Sequence, residues 1–111
     1  MKNLKNDIVI ASKKTLDLGL NCGSEGNVSV RNKDTVFITP SGIETAYLNE
    51  SLISEVDIHG NVKNNKKPSS EILMHLYIYR NRPEISCITV SKNIDCFFFL
   101  FIDFFNYFVS I

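Results

Sequence analysis

Residues 27–39 read NVSVRNKDTVFIT, two alternating runs of apolar and polar side chains separated by Asn32-Lys33-Asp34. Alternation with a period of two is typical of a strand that buries one face. Asn, Lys and Asp between two such runs indicate a turn. The segment therefore predicts a β-hairpin with strands at 27–31 and 35–39.

The segment before this hairpin predicts an amphipathic helix. Its apolar residues Leu4, Ile8, Ala11 and Leu18 follow steps of four, three and seven, which place them on one helical face. Gly19 stands where a helix would end, and residues 21–23 are a loop by composition.

The segment after the hairpin predicts further strands and a second helix. A strand at 53–58 is followed by the turn 59–61 and by a fourth short strand at Val62. Residues 68–70 open a helix that ends before Pro83, and residues 85–90 form the next strand. The face of this helix carries Ile72, Leu76 and Tyr79. The order of elements predicts an α/β or α+β domain with a largely antiparallel sheet.

The composition narrows the possible functions. Twelve basic and twelve acidic residues among 111 cancel, so no strong positive field favours nucleic acid or an anionic membrane as a partner. Three cysteines without a CxxC pair argue against a disulfide scaffold and favour a reducing, cytoplasmic location. The acidic Asp7 and the very short apolar run after it argue against a signal peptide.

The composition changes sharply near residue 96. Seven of the eight phenylalanines lie in residues 97–111, whereas all glycines and prolines lie at or before Pro83. The run is too short for a membrane span and contains Asp103 and Asn106. A buried strand or helix would need a partner to cover its phenylalanines. We favour out-of-frame translation, a truncated gene or a mispredicted exon end as the origin of the tail.

Three polar loops, at 23–27, 39–42 and 68–71, offer backbone N–H groups with short hydroxyl or amide side chains. Such groups suit a phosphate, because oriented N–H donors and a helix N-terminus stabilise an anion. Taken singly, each loop has a simpler explanation: glycines that serve turns, serines that cap a helix and Glu71 as a partner of the helix dipole. Likewise, His75 is expected to be a hydrogen-bonded structural residue, and His59 and the lysines at 63, 66 and 67 to lie in solvated loops.

Taken together and in order, these segments closely resemble the class II aldolase/adducin family. The resemblance is carried by residues 18–23, 26–31, 38–42, 56–62 and 67–71, followed by His75 and Tyr79. It implies a three-layer α/β fold with a central, mainly antiparallel sheet flanked by helices, truncated at the C-terminus. Residues 1–90 would be the N-terminal part of such a domain and residues 91–111 a divergent tail.

The resemblance also implies a function and a site. The substrate phosphate would be held by Asn27, Ser41, Gly42, Ser69 and Ser70. Glu71 would transfer the proton at the carbon next to the carbonyl of a ketose 1-phosphate, such as L-fuculose 1-phosphate, as it is cleaved to dihydroxyacetone phosphate and an aldehyde. Other family members are L-ribulose-5-phosphate 4-epimerases, methylthioribulose-phosphate dehydratases and adducin heads that lack a metal site. The epimerases usually carry Asp at this position, so Glu71 favours an aldolase over an epimerase, whereas the dehydratases also carry Glu.

The chain departs from the family at the metal. The family binds Zn²⁺ with a His-x-His pair on the strand after the helix and a distal histidine, and it forms homotetramers. Here that strand reads SCITVSK, and no histidine follows His75, which matches a family histidine that is not a zinc ligand. Because a catalytic zinc needs three protein ligands and an open position, we expect this chain to bind no Zn²⁺ and to be inactive on its own.

Overall fold

The computed structural model describes residues 3–19, 26–93 and 96–101. Two α-helices, five β-strands and two short 3₁₀ turns lie within these residues. The helices are α1 (Leu4–Asp17) and α2 (Ile72–Asn81), and the 3₁₀ turns are Thr45–Tyr47 and Glu50–Leu52. The strands are β1 (Asn27–Asn32), β2 (Thr35–Ile38), β3 (Ser54–Asp57), β4 (Cys87–Asn93) and β5 (Cys96–Phe101).

The described strands form one sheet in the order β3-β2-β1-β4-β5, and all four neighbouring pairs are antiparallel. Helix α1 packs Ile8 and Ala11 with Val28 and Val30 of β1 in one buried cluster. Helix α2 packs Leu76 and Tyr79 in a second cluster, with residues of β2, β3 and β4. Since successive side chains of a strand point to opposite faces, the helices cover opposite faces of the sheet. The expected three-layer α/β fold is confirmed.

Helix α1 ends at the glycine that the sequence predicts, and it begins with a side-chain cap. The Asn3 side chain accepts a hydrogen bond from the backbone N–H of Asn6 at 3.1 Å, which satisfies one of the free N–H groups of the first turn. Beyond the last turn, Gly19 has a φ of +75°, and its N–H donates to the carbonyl of Leu16. This left-handed conformation is the usual end of a helix, and glycine adopts it without strain.

The predicted hairpin is confirmed, with β1 extending one residue further and β2 ending one residue earlier than expected. Asn32 pairs with Thr35, so Lys33 and Asp34 form the turn. Lys33 has a φ of +57°, in keeping with the positive φ angles of two-residue hairpin turns.

Helix α2 ends before Pro83, as predicted, and Arg31 holds its C-terminus. The guanidinium group donates to the backbone oxygens of Tyr79 at 2.6 Å, Pro83 at 2.6 Å and Ile85 at 2.9 Å. It also lies 5.0 Å from the centre of the Tyr79 ring. A cation at this end satisfies carbonyls that have no partner within the helix and interacts favourably with the helix dipole.

The fourth short strand predicted at Val62 is an isolated bridge to Val56. The ladder stops there because the Asn64 side chain accepts a hydrogen bond from the N–H of Glu55 at 3.0 Å. A side-chain oxygen thus replaces the backbone carbonyl that a longer strand would supply.

The strand predicted at 85–90 is observed as β4, Cys87–Asn93, which continues beyond Val90. Strand β5 pairs with it along its length, with Cys96 opposite Asn93 and Phe101 opposite Ile88. The first part of the Phe-rich segment is therefore a strand in the described structure. Residues 94–95 and 102–111 lie outside the described residues, and the out-of-frame origin of the tail stays a prediction. Neither described helix has the length and hydropathy needed to cross a membrane.

Two leucines of α2 provide a test of this layer arrangement. Leu76 is fully buried and Leu73 is 74% exposed. We expect Leu76→Ala to lower the free energy of unfolding by about 2–5 kcal/mol, because it leaves a cavity under the helix. The matched Leu73→Ala should change it by less than about 0.5 kcal/mol. Urea unfolding of both variants measures the difference, and equal losses would contradict the packing of α2.

Candidate functional site

The ends of two loops meet beside the N-terminus of α2. The N–H of Ser69 donates to the carbonyl of Thr39 at 2.9 Å, and the N–H of Ser41 donates to the carbonyl of Lys67 at 3.2 Å. Pro40 and Pro68 form an antiparallel bridge between these bonds. The two loops predicted at 39–42 and 68–71 are therefore joined backbone to backbone.

The start of β1 adjoins the same junction. Thr39 donates its N–H to the carbonyl of Val28 at 3.1 Å, and its hydroxyl accepts from the N–H of Val28 at 3.2 Å. These bonds place Asn27, one residue before Val28, beside the joined loops. Gly26 and Asn27 of the first predicted loop are described, and residues 20–25, which include the rest of that loop, lie outside the described residues.

The predicted phosphate-binding residues differ in exposure. Asn27 and Ser69 are buried, Ser41 is half-buried, and Gly42 and Ser70 are exposed. Gly42 has a φ of +74°, a conformation that favours glycine. The Ser69 hydroxyl accepts from the N–H of Glu71 at 3.3 Å, which is the capping role expected of a serine near a helix start. The backbone N–H groups of Gly42 and Ser70 donate to no described residue.

Glu71 and Asn27 are in direct contact. The Asn27 Nδ2 group donates to Oε2 of Glu71, and Oδ1 of the same amide is hydrogen-bonded to Nε2 of His75. Glu71 is half-buried and lies at the N-cap position of α2. The carboxylate is therefore held at the junction of the loops by the side chain of a strand residue.

The contact continues inward as a chain of buried polar groups. Nδ1 of His75 lies 2.6 Å from the Ser29 hydroxyl, and the same hydroxyl lies 2.7 Å from the Tyr79 hydroxyl. Ser29, His75 and Tyr79 are all fully buried. The expectation that His75 is a hydrogen-bonded structural residue is confirmed.

Burial keeps the side chains of His75 and Tyr79 uncharged. Desolvation lowers the pKa of His75 to about 3, because its protonated form would be a charge without a counterion in the interior. Desolvation also raises the pKa of the Tyr79 hydroxyl, and its hydrogen bond with Ser29 opposes this rise only in part. His75 is thus neutral and Tyr79 protonated at neutral pH.

Ser29 and Tyr79 were not singled out as candidate site residues from the sequence. The signal that could have found Ser29 is the polar side chain at every second position of β1, at residues 27, 29 and 31. The signal that could have found Tyr79 is the four-residue spacing of Glu71, His75 and Tyr79 in the helix. Only the packing of α2 against β1 shows that the two series face each other.

The described residues do not offer the donor set of a zinc site. No group of three or more His, Cys, Asp or Glu side chains among them could hold a metal ion. His59 is exposed in the turn after β3, and both ring nitrogens of His75 are engaged with Ser29 and Asn27. These residues therefore do not fit the Zn²⁺ site that the resemblance implies.

A three-layer domain with a carboxylate at a hydroxyl-rich loop junction is the architecture that the sequence resemblance implies. The family model described as "Class II Aldolase and Adducin N-terminal domain" matches residues 6–92. The chain therefore belongs to the class II aldolase/adducin family.

Individual relatives agree with this assignment. An L-fuculose phosphate aldolase of Methanococcus maripaludis is 43% identical over 81 residues, which cover 73% of this chain and 44% of that protein. The enzyme of the same name from Haemophilus influenzae is 40% identical over 93 residues, 84% of this chain and 43% of that protein. A solved L-fuculose 1-phosphate aldolase superposes with a TM-score of 0.79 at 36% identity, over 85% of this chain and 46% of that one. The chain thus spans less than half the length of these relatives.

The low pKa of His75 predicts a specific pH dependence of stability. Because the folded state binds a proton at His75 only near pH 3 and the unfolded state near pH 6.5, the stabilisation is complete above pH 6.5 and is lost as the pH falls. Below pH 6.5 the loss from this residue should steepen toward a limit of about 1.4 kcal/mol per pH unit, which it approaches near pH 5. In His75→Gln, which keeps a donor and an acceptor, this part of the slope should vanish. Parallel urea-unfolding profiles for the two proteins would contradict a neutral His75.

Proposed function

We propose that this chain carries the phosphate-binding and proton-transfer half of a class II sugar-phosphate aldolase site. The substrate would be a ketose 1-phosphate such as L-fuculose 1-phosphate, with dihydroxyacetone phosphate and an aldehyde as the cleavage products. The observation that carries the proposal is the hydrogen-bonded junction of the two serine loops beside a carboxylate held by Asn27. The names of the relatives support the class of substrate.

The phosphate would lie at the junction of the loops. The donors would be the backbone N–H groups of Gly42 and Ser70 and the hydroxyl groups of Ser41, Ser69 and Ser70. Asn27 would add the second N–H of its amide, whose first N–H is donated to Glu71. Ser70 directly precedes Glu71, the N-cap residue of α2, so a phosphate beside it would also gain from the dipole of the helix. This arrangement binds an anion through oriented neutral donors and does not require an arginine or a lysine at the junction.

Glu71 would accept and return a proton at the carbon next to the substrate carbonyl. A general base must be within hydrogen-bond reach of that carbon's proton and held in one orientation. Glu71 is the N-cap residue of α2 and follows Ser69 and Ser70, the serines that would hold the phosphate. The phosphate would thus set the distance from Glu71 to the reacting carbon.

A second candidate is a non-catalytic binding module of the adducin type. The observation that favours it is the donor set, because the described residues do not provide the ligands of a zinc ion. The two candidates share the phosphate pocket and differ in turnover. Epimerase and dehydratase relatives would use the same pocket, and Glu71 in place of Asp favours the aldolase over the epimerase.

Ligand binding tests the proposed pocket. We expect phosphoglycolate to bind the purified chain, and we expect Ser69→Ala with Ser70→Ala to weaken binding tenfold or more, because each lost hydrogen bond to a charged group is worth about 1.5–3 kcal/mol. Isothermal titration calorimetry at constant ionic strength measures the affinity.

Ser51→Ala is the matched control, since Ser51 is an exposed serine in a 3₁₀ turn outside the junction. Its phosphoglycolate affinity should equal that of the unmodified chain. Equal affinity in the Ser69/Ser70 variant, or no saturable binding at all, would refute the proposed pocket.

The metal and the reaction are tested separately. We expect the dialysed chain to retain substoichiometric zinc and to show no retro-aldol turnover of L-fuculose 1-phosphate, because the donor set for a catalytic zinc is incomplete. Elemental analysis and a coupled assay for dihydroxyacetone phosphate measure both. One tightly held zinc ion per chain together with turnover would show that ligands exist outside the described residues.

A further inference from the structure

The polar chain from Glu71 to Tyr79 has a single consistent assignment of its protons. Its five members alternate between α2 and β1 in the order Glu71, Asn27, His75, Ser29, Tyr79. The role that these five side chains would have rests on the proposed function of Glu71 as the proton-transferring group.

The carboxylate determines the orientation of the Asn27 amide. An ionised carboxylate only accepts hydrogen bonds, so the Nδ2 group of Asn27 must face Oε2 of Glu71. The Oδ1 atom then faces His75, and this carbonyl oxygen can only accept. A flipped amide would place two acceptors against each other at Glu71.

The amide in turn determines the tautomer of His75. Because Oδ1 of Asn27 only accepts, Nε2 of His75 must carry a proton. Burial keeps the imidazole neutral, so Nδ1 has no proton and accepts. The Ser29 hydroxyl, 2.6 Å from Nδ1, is therefore the donor to the ring.

Tyr79 completes the assignment. The single hydroxyl proton of Ser29 is directed to His75, so Ser29 must accept from the Tyr79 hydroxyl at 2.7 Å. The raised pKa of Tyr79 keeps this phenol protonated and able to donate. Every hydrogen bond of the chain thus points in the same direction, from Tyr79 toward Glu71.

We propose that Tyr79, Ser29 and His75 are positioning residues: their one-way hydrogen bonds hold the Asn27 amide with Nδ2 on Oε2 of Glu71, and so leave Oε1 to exchange the substrate proton. No described residue donates to Oε1. A proton placed on Oε1 leaves the lone pair of Oε2 facing Nδ2. The chain therefore keeps the same orientation whether Glu71 holds the transferred proton or not.

The first test needs no variant and no ligand. In the ¹⁵N-labelled 111-residue chain at pH 7, long-range ¹H–¹⁵N correlation spectra report the tautomer of each histidine. We expect His75 to be the neutral Nε2–H tautomer. A neutral Nδ1–H tautomer or an imidazolium would overturn the proposal, because either would reverse or remove the bond to Asn27.

The second test compares two variants of His75, which should behave alike if His75 only filled space. His75→Gln retains a donor toward Asn27 and an acceptor toward Ser29, whereas His75→Leu retains neither. We expect hydrogen exchange of the Asn27 side-chain amide to stay slow in His75→Gln and to speed up tenfold or more in His75→Leu. Equal exchange rates in the two folded variants would overturn the proposal.

A third measurement tests the direction of the chain at Ser29. Ser29→Ala removes the donor to Nδ1 and Tyr79→Phe leaves it in place, and we expect both variants to keep the Nε2–H tautomer, because Oδ1 of Asn27 still accepts from Nε2. A change to the Nδ1–H tautomer in either variant would overturn the assigned direction. All three measurements are made without phosphoglycolate, so failure of the proposed binding function would show in the calorimetry and leave these results unaffected.

Discussion

The contact of β1 with α2 determines where the candidate site residues lie. Every second residue of a strand points to the same face, at a spacing of about 6.6 Å, and every fourth residue of a helix repeats at about 6 Å. Because these spacings nearly match, three polar residues of the strand each meet a polar or aromatic residue of the helix. The strand residues are Asn27, Ser29 and Arg31, and the helix residues are Glu71, His75 and Tyr79.

The matched spacing of β1 and α2 also limits the register in which β1 can pair. A one-residue slip of β1 would turn Val28 and Val30 toward α2 and the polar residues into the cluster under α1. The buried hydroxyl and imidazole groups would then lose their partners, at about 1–3 kcal/mol for each unsatisfied group. The polar chain therefore specifies the register of the strand and the rotation of the helix, while the surrounding apolar clusters supply the drive to bury them.

The two ends of α2 serve different purposes. At the C-terminus, Arg31 satisfies backbone oxygens and stacks on Tyr79, which anchors the helix to the sheet. At the N-terminus, backbone bonds join the helix start to the loop after β2, where hydroxyl and N–H donors face the proposed phosphate. The polar chain from Glu71 to Tyr79 runs between these ends. It connects the contact of Arg31 with Tyr79 to the half-buried carboxylate of Glu71, within a chain that spans less than half the length of its relatives.

The sequence by itself determined the elements whose signals are local. The hairpin follows from alternation around a turn, α1 from its apolar spacing and Gly19, and the serine loops from the order of the motifs that resemble the family. Tertiary structure alone decided that Ser29 and Tyr79 join the buried polar chain of His75 and that Val62 forms a bridge and not a strand. The reason is physical: the partners of Ser29 lie 46 and 50 residues away in the chain. Periodicity shows which residues share a face, but only packing decides which faces meet.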